Sequence, residues 1–313
     1  MYLIVMEGSE RVENSGIVYI IIIIMNVLVL GSGYIGNHLF NHLKSQWAVE
    51  QITQKQVDYT CTARNSPSTD FKSYLHDKRF DIVVNCSGYT GKPNVDACES
   101  NKAMCWKYNV VAPVRTAEVV NLFKIPMIHV SSGCIYQGDE KYKEDDVPNF
   151  GLYDHDSSFY SKSKHAGELA LEDMWGYILR IRMPFCSTAN PKNILNKYLK
   201  YENILSMPNS LTCIYDLCKA IEYVCIHRHQ VSKGIYNVVN KGAVEAKEIL
   251  QILRRNGIGN RNWKIVPPEE LNLKAGRSNC TLSGKKLAQA GFTMPSALSS
   301  LEECIPALNE RLR

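Results

Sequence analysis

The sequence predicts an α/β fold, a parallel sheet doubly wound by helices on both faces, with a smaller C-terminal part. Three observations carry this. Apolar runs of strand length alternate with helix-length segments from residue 26 to about residue 182. A glycine-rich turn, Gly31-Ser-Gly33-Tyr34-Ile35-Gly36, follows the first apolar run at once and opens a helix. The 313 residues, 45% hydrophobic and 21% charged, are enough for one such globular domain and a smaller companion.

The elements follow in order. Asn26–Leu30 (NVLVL) reads as a buried strand, and a helix is expected from about Asn37 to Ser45. The second strand is expected over about Val57–Cys61 and the third over Phe80–Cys86. A helix near Val95–Val120 is interrupted or entered around Asn109. Met127–Ser131 is the next strand, Tyr160–Met174 a helix, and Tyr177–Arg182 another strand. After Pro184 the alternation loosens, and turn residues (NPKN, MPNS) become frequent. Ala243–Arg254 has the pattern of an amphipathic helix, and Pro267-Pro268-Glu269-Glu270 that of a helix entry. These signals divide the chain into residues 25–185, which carry the glycine loop, and residues 186–313. Gly234–Asn240 is strand-like and is expected to return to the main sheet.

The N-terminus stands apart. Ile17–Leu30 is apolar except for Asn26, which is short of the roughly 20 residues that span a bilayer. Glu7, Glu10 and Glu13 occupy what would be the basic leader of a signal peptide. Met25 is the expected natural start, with residues 1–24 an upstream extension without a role. Net charge is +5 with no long basic run, so neither nucleic acid nor membrane is expected as a partner. The eleven cysteines show no CxxC and no zinc spacing. Reduced thiols in a cytoplasm are expected, without a disulfide framework or a metal.

Strand, GxGxxG and helix in succession form a dinucleotide-binding fingerprint, and so the first domain is expected to be a Rossmann domain. Gly31 permits the tight turn, Gly33 lets the backbone approach a pyrophosphate, and Gly36 lets helix and strand pack closely. Tyr34 and Ile35 lie between them, and the helix N-terminus offers N–H groups to the phosphates. Asp58 lies too early in the expected second strand to meet the ribose hydroxyls. Arg64, just past its end, suits a 2′-phosphate, so NADPH is expected over NADH. Ser87, Gly88 and Tyr89 follow the third strand at the sheet's carboxyl edge, where they are expected to line the adenosine or nicotinamide ribose.

Tyr160 and Lys164 fall at i and i+4, on one face of a helix. An ammonium beside a phenol favours the phenolate, and the pair can pass a proton to an oxygen as hydride reaches the carbonyl carbon. Ser132, at the end of a strand, would donate to that same oxygen.

The motifs Gly88-Tyr-Thr-Gly-Lys-Pro-Asn-Val-Asp-Ala-Cys-Glu99, Ser132-Gly-Cys134-Ile-Tyr136, Glu144-Asp-Asp-Val-Pro-Asn-Phe150, Phe159-Tyr-Ser-Lys-Ser-Lys164, Arg180-Ile-Arg-Met-Pro184 and Asn190-Pro-Lys-Asn193 resemble those of the extended short-chain dehydrogenase/reductases. Met207-Pro-Asn-Ser210 and Arg277-Ser-Asn279 add to the likeness, which covers nearly everything from Met25 onward. Within that family the chain is most similar to the bifunctional UDP-4-keto-6-deoxy-glucose 3,5-epimerase/4-reductases that complete UDP-L-rhamnose synthesis in plants and some giant viruses. One departure is visible: the family loop is typically GxxGxxG, and here it is one residue shorter.

The resemblance implies a C-terminal substrate-binding domain, a nucleotide-sugar substrate and a homodimer. It implies that Cys134 and Lys197 exchange protons at C5 and C3 of the 4-keto sugar, before Tyr160 protonates the oxygen at C4. Which of the two is acid and which base stays open, as does UDP against dTDP. It makes Thr90, Asn94, Asn193 and Arg277 substrate residues, and gives Asn109 a role in steadying the active-site helix or a relay water. Gly133 and Cys134 stand where 4,6-dehydratases carry acidic residues, so a separate upstream dehydratase must supply the substrate. The alternatives are a 4-ketoreductase with Cys134 idle, and a non-catalytic NADP-binding regulatory subunit.

Overall fold

The computed structural model describes residues 24–53, 56–58, 69–92, 94–174, 176–259, 262–267, 270–271, 273 and 275–312. Its centre is a six-stranded, wholly parallel sheet: β1 (Asn26–Leu30), β2 (Ala48–Ile52), β3 (Ile82–Asn85), β4 (Met127–Ser132), β5 (Gly176–Ile181) and β6 (Gly234–Asn237). The spatial order is β2-β1-β3-β4-β5-β6. Chain order therefore reverses between β1 and β3, the crevice where ligands bind in open α/β sheets.

β1 shows how the sequence builds both layers. Successive side chains of a strand point to opposite faces. Val27 and Val29 enter one core with Leu39 and Leu43 of α1 (Tyr34–Leu43). Leu28 and Leu30 enter the other core, with Ala117 and Val120 of α3 (Ala112–Leu122) and Leu171 of α4 (Phe159–Leu171). A strand covered on both sides reads as an unbroken apolar run, which is why NVLVL was legible.

The second strand is a correction. Of the expected Val57–Cys61, the described part is not in the main sheet. Val57–Asp58 pairs only with Thr69–Asp70, and residues 59–61 lie outside the described residues. The strand that pairs with β1 is Ala48–Ile52, in register from Asn26↔Ala48 to Leu30↔Ile52. It is the sheet's edge and largely half-exposed, so its sequence (AVEQI) carries no continuous apolar run. α1 also starts earlier than expected, because Gly33 is itself its N-cap.

The helical stretch before β4 changes pitch in the middle. α2 (Lys102–Trp106) passes into a π-turn over Lys107–Val111 and then into α3. Pro113 explains the widening: it has no N–H for the carbonyl four residues back, and its ring would clash with that carbonyl. The residue four back is Asn109. Its released carbonyl packs on α4 at Gly167, where a Cβ would lie 2.2 Å from the oxygen.

Beyond β5, α5 (Ile194–Lys200), α7 (Ala246–Arg255) and α8 (Ala297–Leu312) build a separate core from Leu195, Tyr198, Ile249, Leu253, Leu301 and Ile305. α6 (Ile214–Ile226) instead returns Leu217, Ile221 and Val224 to the core under α1. β6 pairs with β5, from Gly234↔Tyr177 to Asn237↔Arg180. The expected helix entry at 267–270 falls partly on residues outside those described. No helix among the described residues is long and apolar enough to cross a membrane.

Candidate active site

A cavity of about 1060 Å³ opens at the carboxyl edge of the sheet, between the glycine loop on one side and α5 and the segment around Arg277 on the other. Of the expected site residues, Gly31, Gly33, Tyr34, Ile35, Ser87 and Gly88 line it. So do Thr90, Asn94, Ser132, Cys134, Tyr160, Lys164, Lys197 and Arg277. Gly36, Tyr89, Asn109 and Asn193 do not line it. Arg64 lies outside the described residues.

The glycine loop fits a dinucleotide on its geometry. Gly31 has φ +97°, and a Cβ there would come within 3.2 Å of the Ser87 backbone. A Cβ on Gly36 would lie 2.1 Å from the Gly31 carbonyl oxygen, so helix and turn could not close. At Gly33 a Cβ would meet nothing within 4 Å, and the helix start has no side-chain cap and no acidic residue in its first turn. Uncapped N–H groups facing open space suit an anion. β2 ends in Gln51 and Ile52, and the Gln51 amide donates to the Gly31 carbonyl (3.1 Å) and to Asn37 Oδ1 (3.1 Å). The one carboxylate of β2, Glu50, is held by Tyr74 and Lys78.

Asn109 organises the floor. Its Oδ1 accepts from the Tyr89 amide (2.8 Å), and its Nδ2 donates to the Tyr89 carbonyl (2.9 Å) and to Ser163 Oγ (3.0 Å). The loop after β3 is thus tied to the helix that carries Tyr160 and Lys164. Gly88 is part of this closeness, since a Cβ there would lie 3.3 Å from Asn109 Oδ1 and 3.5 Å from Lys164 Nζ.

Tyr160 and Lys164 are both buried, and Ser132 hydrogen-bonds the phenol. Here the electrostatics differ from the sequence argument. Burial pushes the Tyr160 phenol well above its ordinary value, Cys134 adds to that, and the hydrogen bond from Ser132 opposes it. Lys164 responds to the same burial by falling to about 8. Desolvation is the largest influence on the phenol and favours its protonated form.

Cys134 is half-buried, and its amide donates to Ser132 Oγ (3.2 Å). The cation in contact with its sulfur is Arg182, with Nη1 2.9 Å from Sγ. Arg182 lies in the Arg180–Pro184 motif, and nothing local in the sequence assigns it a role. Lys197 lies within electrostatic reach of Cys134 from α5; burial lowers its pKa, and Cys134 opposes that shift.

Of the expected substrate residues, Asn193 is turned away from the cavity and Arg277 lines it while paired with a carboxylate. Asn193 is fully buried, caps α5 by accepting from the Leu195 amide (3.1 Å), and donates to the carbonyls of Cys186 (2.7 Å) and Thr188 (2.9 Å). Arg277 makes a bidentate pair with Asp96, at 2.8 and 3.0 Å. Asn94 Oδ1 accepts from the Asp96 amide (2.9 Å), which fixes that partner.

Residues 25–310 match the family model described as the RmlD substrate binding domain. The chain belongs to that family. It is 35% identical over 217 residues, 66% of this chain and 69% of the relative, to the bifunctional dTDP-4-dehydrorhamnose 3,5-epimerase/dTDP-4-dehydrorhamnose reductase of Arabidopsis thaliana. It is 34% identical over 235 residues to a trifunctional UDP-glucose 4,6-dehydratase/UDP-4-keto-6-deoxy-D-glucose 3,5-epimerase/UDP-4-keto-L-rhamnose-reductase of the same plant. That match covers 71% of this chain and only 34% of the larger protein. Among solved structures, the UDP-rhamnose synthase of Acanthamoeba polyphaga mimivirus superposes with a TM-score of 0.79 at 26% identity, covering 91% of this chain and 99% of that one. A Bacillus anthracis dTDP-4-dehydrorhamnose reductase, solved with NADP, shares the fold (TM-score 0.76, 22% identity, 90% and 99% covered).

Proposed function

We propose that this RmlD-family protein converts UDP-4-keto-6-deoxy-D-glucose to UDP-L-rhamnose, by 3,5-epimerisation and NADPH-dependent reduction at C4. The observation that carries the epimerase half is Cys134. It stands in the same cavity wall as Ser132 and Tyr160, with Arg182 on its sulfur and Lys197 within electrostatic reach. Hydride transfer needs no thiol, whereas proton exchange beside a ketone needs an acid–base group, a role that a thiol beside a cation can fill. The names of the plant and mimivirus relatives support the same reading.

Gly31, Gly33 and the first turn of α1 would hold NADPH, together with Ser87, Gly88 and Lys164, which line the same cavity. When bound, the reduced nicotinamide supplies hydride to the carbonyl carbon. Among the described residues, the one carboxylate of β2, Glu50, is held by Tyr74 and Lys78, which supports NADPH over NADH. Ser132 donates to the ketone oxygen and orients it. Tyr160, its proton retained by burial, delivers that proton to the oxygen at C4. Lys164 stays charged below about pH 8 and offsets the negative charge left on the phenol. Arg277, oriented by Asp96, faces the cavity as the cation for the sugar nucleotide's pyrophosphate. The reading includes a cytoplasmic homodimer fed by a separate 4,6-dehydratase.

The test is incubation with UDP-4-keto-6-deoxy-glucose and NADPH in deuterated water, with NMR of the product. An L-rhamno product with deuterium at C3 and C5, lost in Cys134→Ala, is expected. Reduction without inversion or label would leave a plain 4-ketoreductase. No NADPH consumption with either the UDP or the dTDP sugar would point to a regulatory subunit.

A further inference from the structure

Arg182 is 4% exposed, and its guanidinium is clamped. Nη2 donates to Asn209 Oδ1 (2.7 Å) and to the Ser278 carbonyl, and the Arg182 amide donates to Thr212 Oγ1 (3.0 Å). Asn209 is itself fixed, donating to the Met207 carbonyl and Asn279 Oδ1 (both 3.1 Å) and accepting from the Cys280 amide (3.2 Å). Nη1 points at Cys134 Sγ, and Nε is buried without a partner. Every oxygen that Arg182 touches is neutral, and among the described residues no ion pair joins it to a carboxylate. A guanidinium does not deprotonate in a protein. A buried cation without a counter-anion is costly. Two thiols meet it, Cys134 at 2.9 Å and Cys280; burial pushes the Cys280 thiol up and keeps it out of the cavity wall, which leaves Cys134 as the group placed to become that anion.

We infer that Arg182 is the positioning residue that holds Cys134 as a thiolate and aims it into the cavity. The inference rests on the proposed epimerase reading and deepens it. Cys134 enters the reaction already deprotonated and takes the proton from the carbon beside the ketone. It becomes a neutral thiol as the electron pair moves onto the ketone oxygen to give an enolate. The Lys197 ammonium returns a proton to the opposite face of that carbon and becomes an amine. Exchange of one proton from thiol to amine through solvent resets both groups, so no oxidant, reductant or co-reactant is consumed. Arg182 keeps its charge and its place throughout.

The charged and titratable groups acting on Cys134 are Arg182, Lys197, Lys164, Tyr160 and Cys280. The experiment separates Arg182 from the rest without any substrate. The full-length protein is alkylated with iodoacetamide over a series of pH values, and the rate at Cys134 is followed by peptide mass spectrometry. In the wild type the rate midpoint is expected below the ordinary thiol value of about 8.5. Arg182→Met raises it by at least about one unit, a tenfold loss of thiolate. Arg182→Lys restores part of the shift, and Lys197→Met moves the midpoint less than Arg182→Met. In deuterated water Arg182→Met slows label uptake at neutral pH, and uptake recovers as the pH is raised, which loss of folding would not produce. A wild-type midpoint at or above the ordinary value overturns the inference. So does a larger shift in Lys197→Met than in Arg182→Met. A lowered, Arg182-dependent midpoint without label uptake in any sugar upholds the thiolate and overturns the epimerase reading instead.

Discussion

Arg180 and Arg182 sit two residues apart where β5 leaves the sheet, and both are buried, yet their surroundings differ in one respect. Arg180 Nε meets the Glu168 carboxylate at 2.8 Å, while Nη1 donates to Tyr136 Oη (2.9 Å) and the Glu144 carbonyl (3.1 Å). Arg182 has amide and carbonyl oxygens and the thiols of Cys134 and Cys280. The first charge is balanced by the fold itself, and so it belongs to the structure. The second has no carboxylate of its own, so its field falls on the cavity. Two arginines in one short motif are thus assigned opposite tasks by their third-dimensional neighbours.

The largest effect expected from this contrast is on stability. Arg180→Met strands Glu168 in the interior and should cost about 3–5 kcal/mol in urea unfolding, while the Cys134 alkylation profile stays where it was. Arg182→Met leaves neutral acceptors and a thiolate that can take up a proton, and should cost less, about 1–3 kcal/mol, although it moves that profile. Equal losses in the two variants would erase the distinction between a balanced and an unbalanced charge. The smallest effect concerns Glu168, which lies one helical turn after Lys164 and favours its ammonium form. Removing that anion in Glu168→Gln lowers the Lys164 pKa further below about 8. The alkaline fall of the reduction rate should then begin at lower pH, shifted by about half a unit. A pH–rate profile well below the unfolding temperature measures this, and a shift to higher pH would contradict the coupling.

The parts of the site carried by one element were legible in the sequence. Gly31, Gly33 and Gly36 follow their strand directly, Tyr160 and Lys164 share a helix face, and Ser132 ends a strand. The break in the helix around Asn109 was legible too, and Pro113 supplies its physical cause. What escaped depends on segments meeting across the fold. Arg182 and Cys134 are 48 residues apart, and Arg277 and Asp96 are 181 apart. No local period announces either contact. The inward turn of the Asn193 amide was hidden for the same reason, because its acceptors are carbonyls of an irregular segment. β2 was missed because an edge strand keeps only part of its surface dry. The one available hint at Arg182 was parity: two arginines at i and i+2 beside a buried strand must point to the same side of it.

The return of β6 and α6 to the sheet has a consequence for how this protein can be cut or inherited. A chain stopped at residue 185 would lack the neighbour that covers β5, exposing a row of unpaired backbone groups from Gly176 to Ile181. It would also leave Leu39 and Leu43 without Leu217, Ile221 and Val224. The segment that carries the glycine loop is therefore no cassette to be lifted out and joined to another partner. Recombination, whether natural or in the laboratory, must move both halves together.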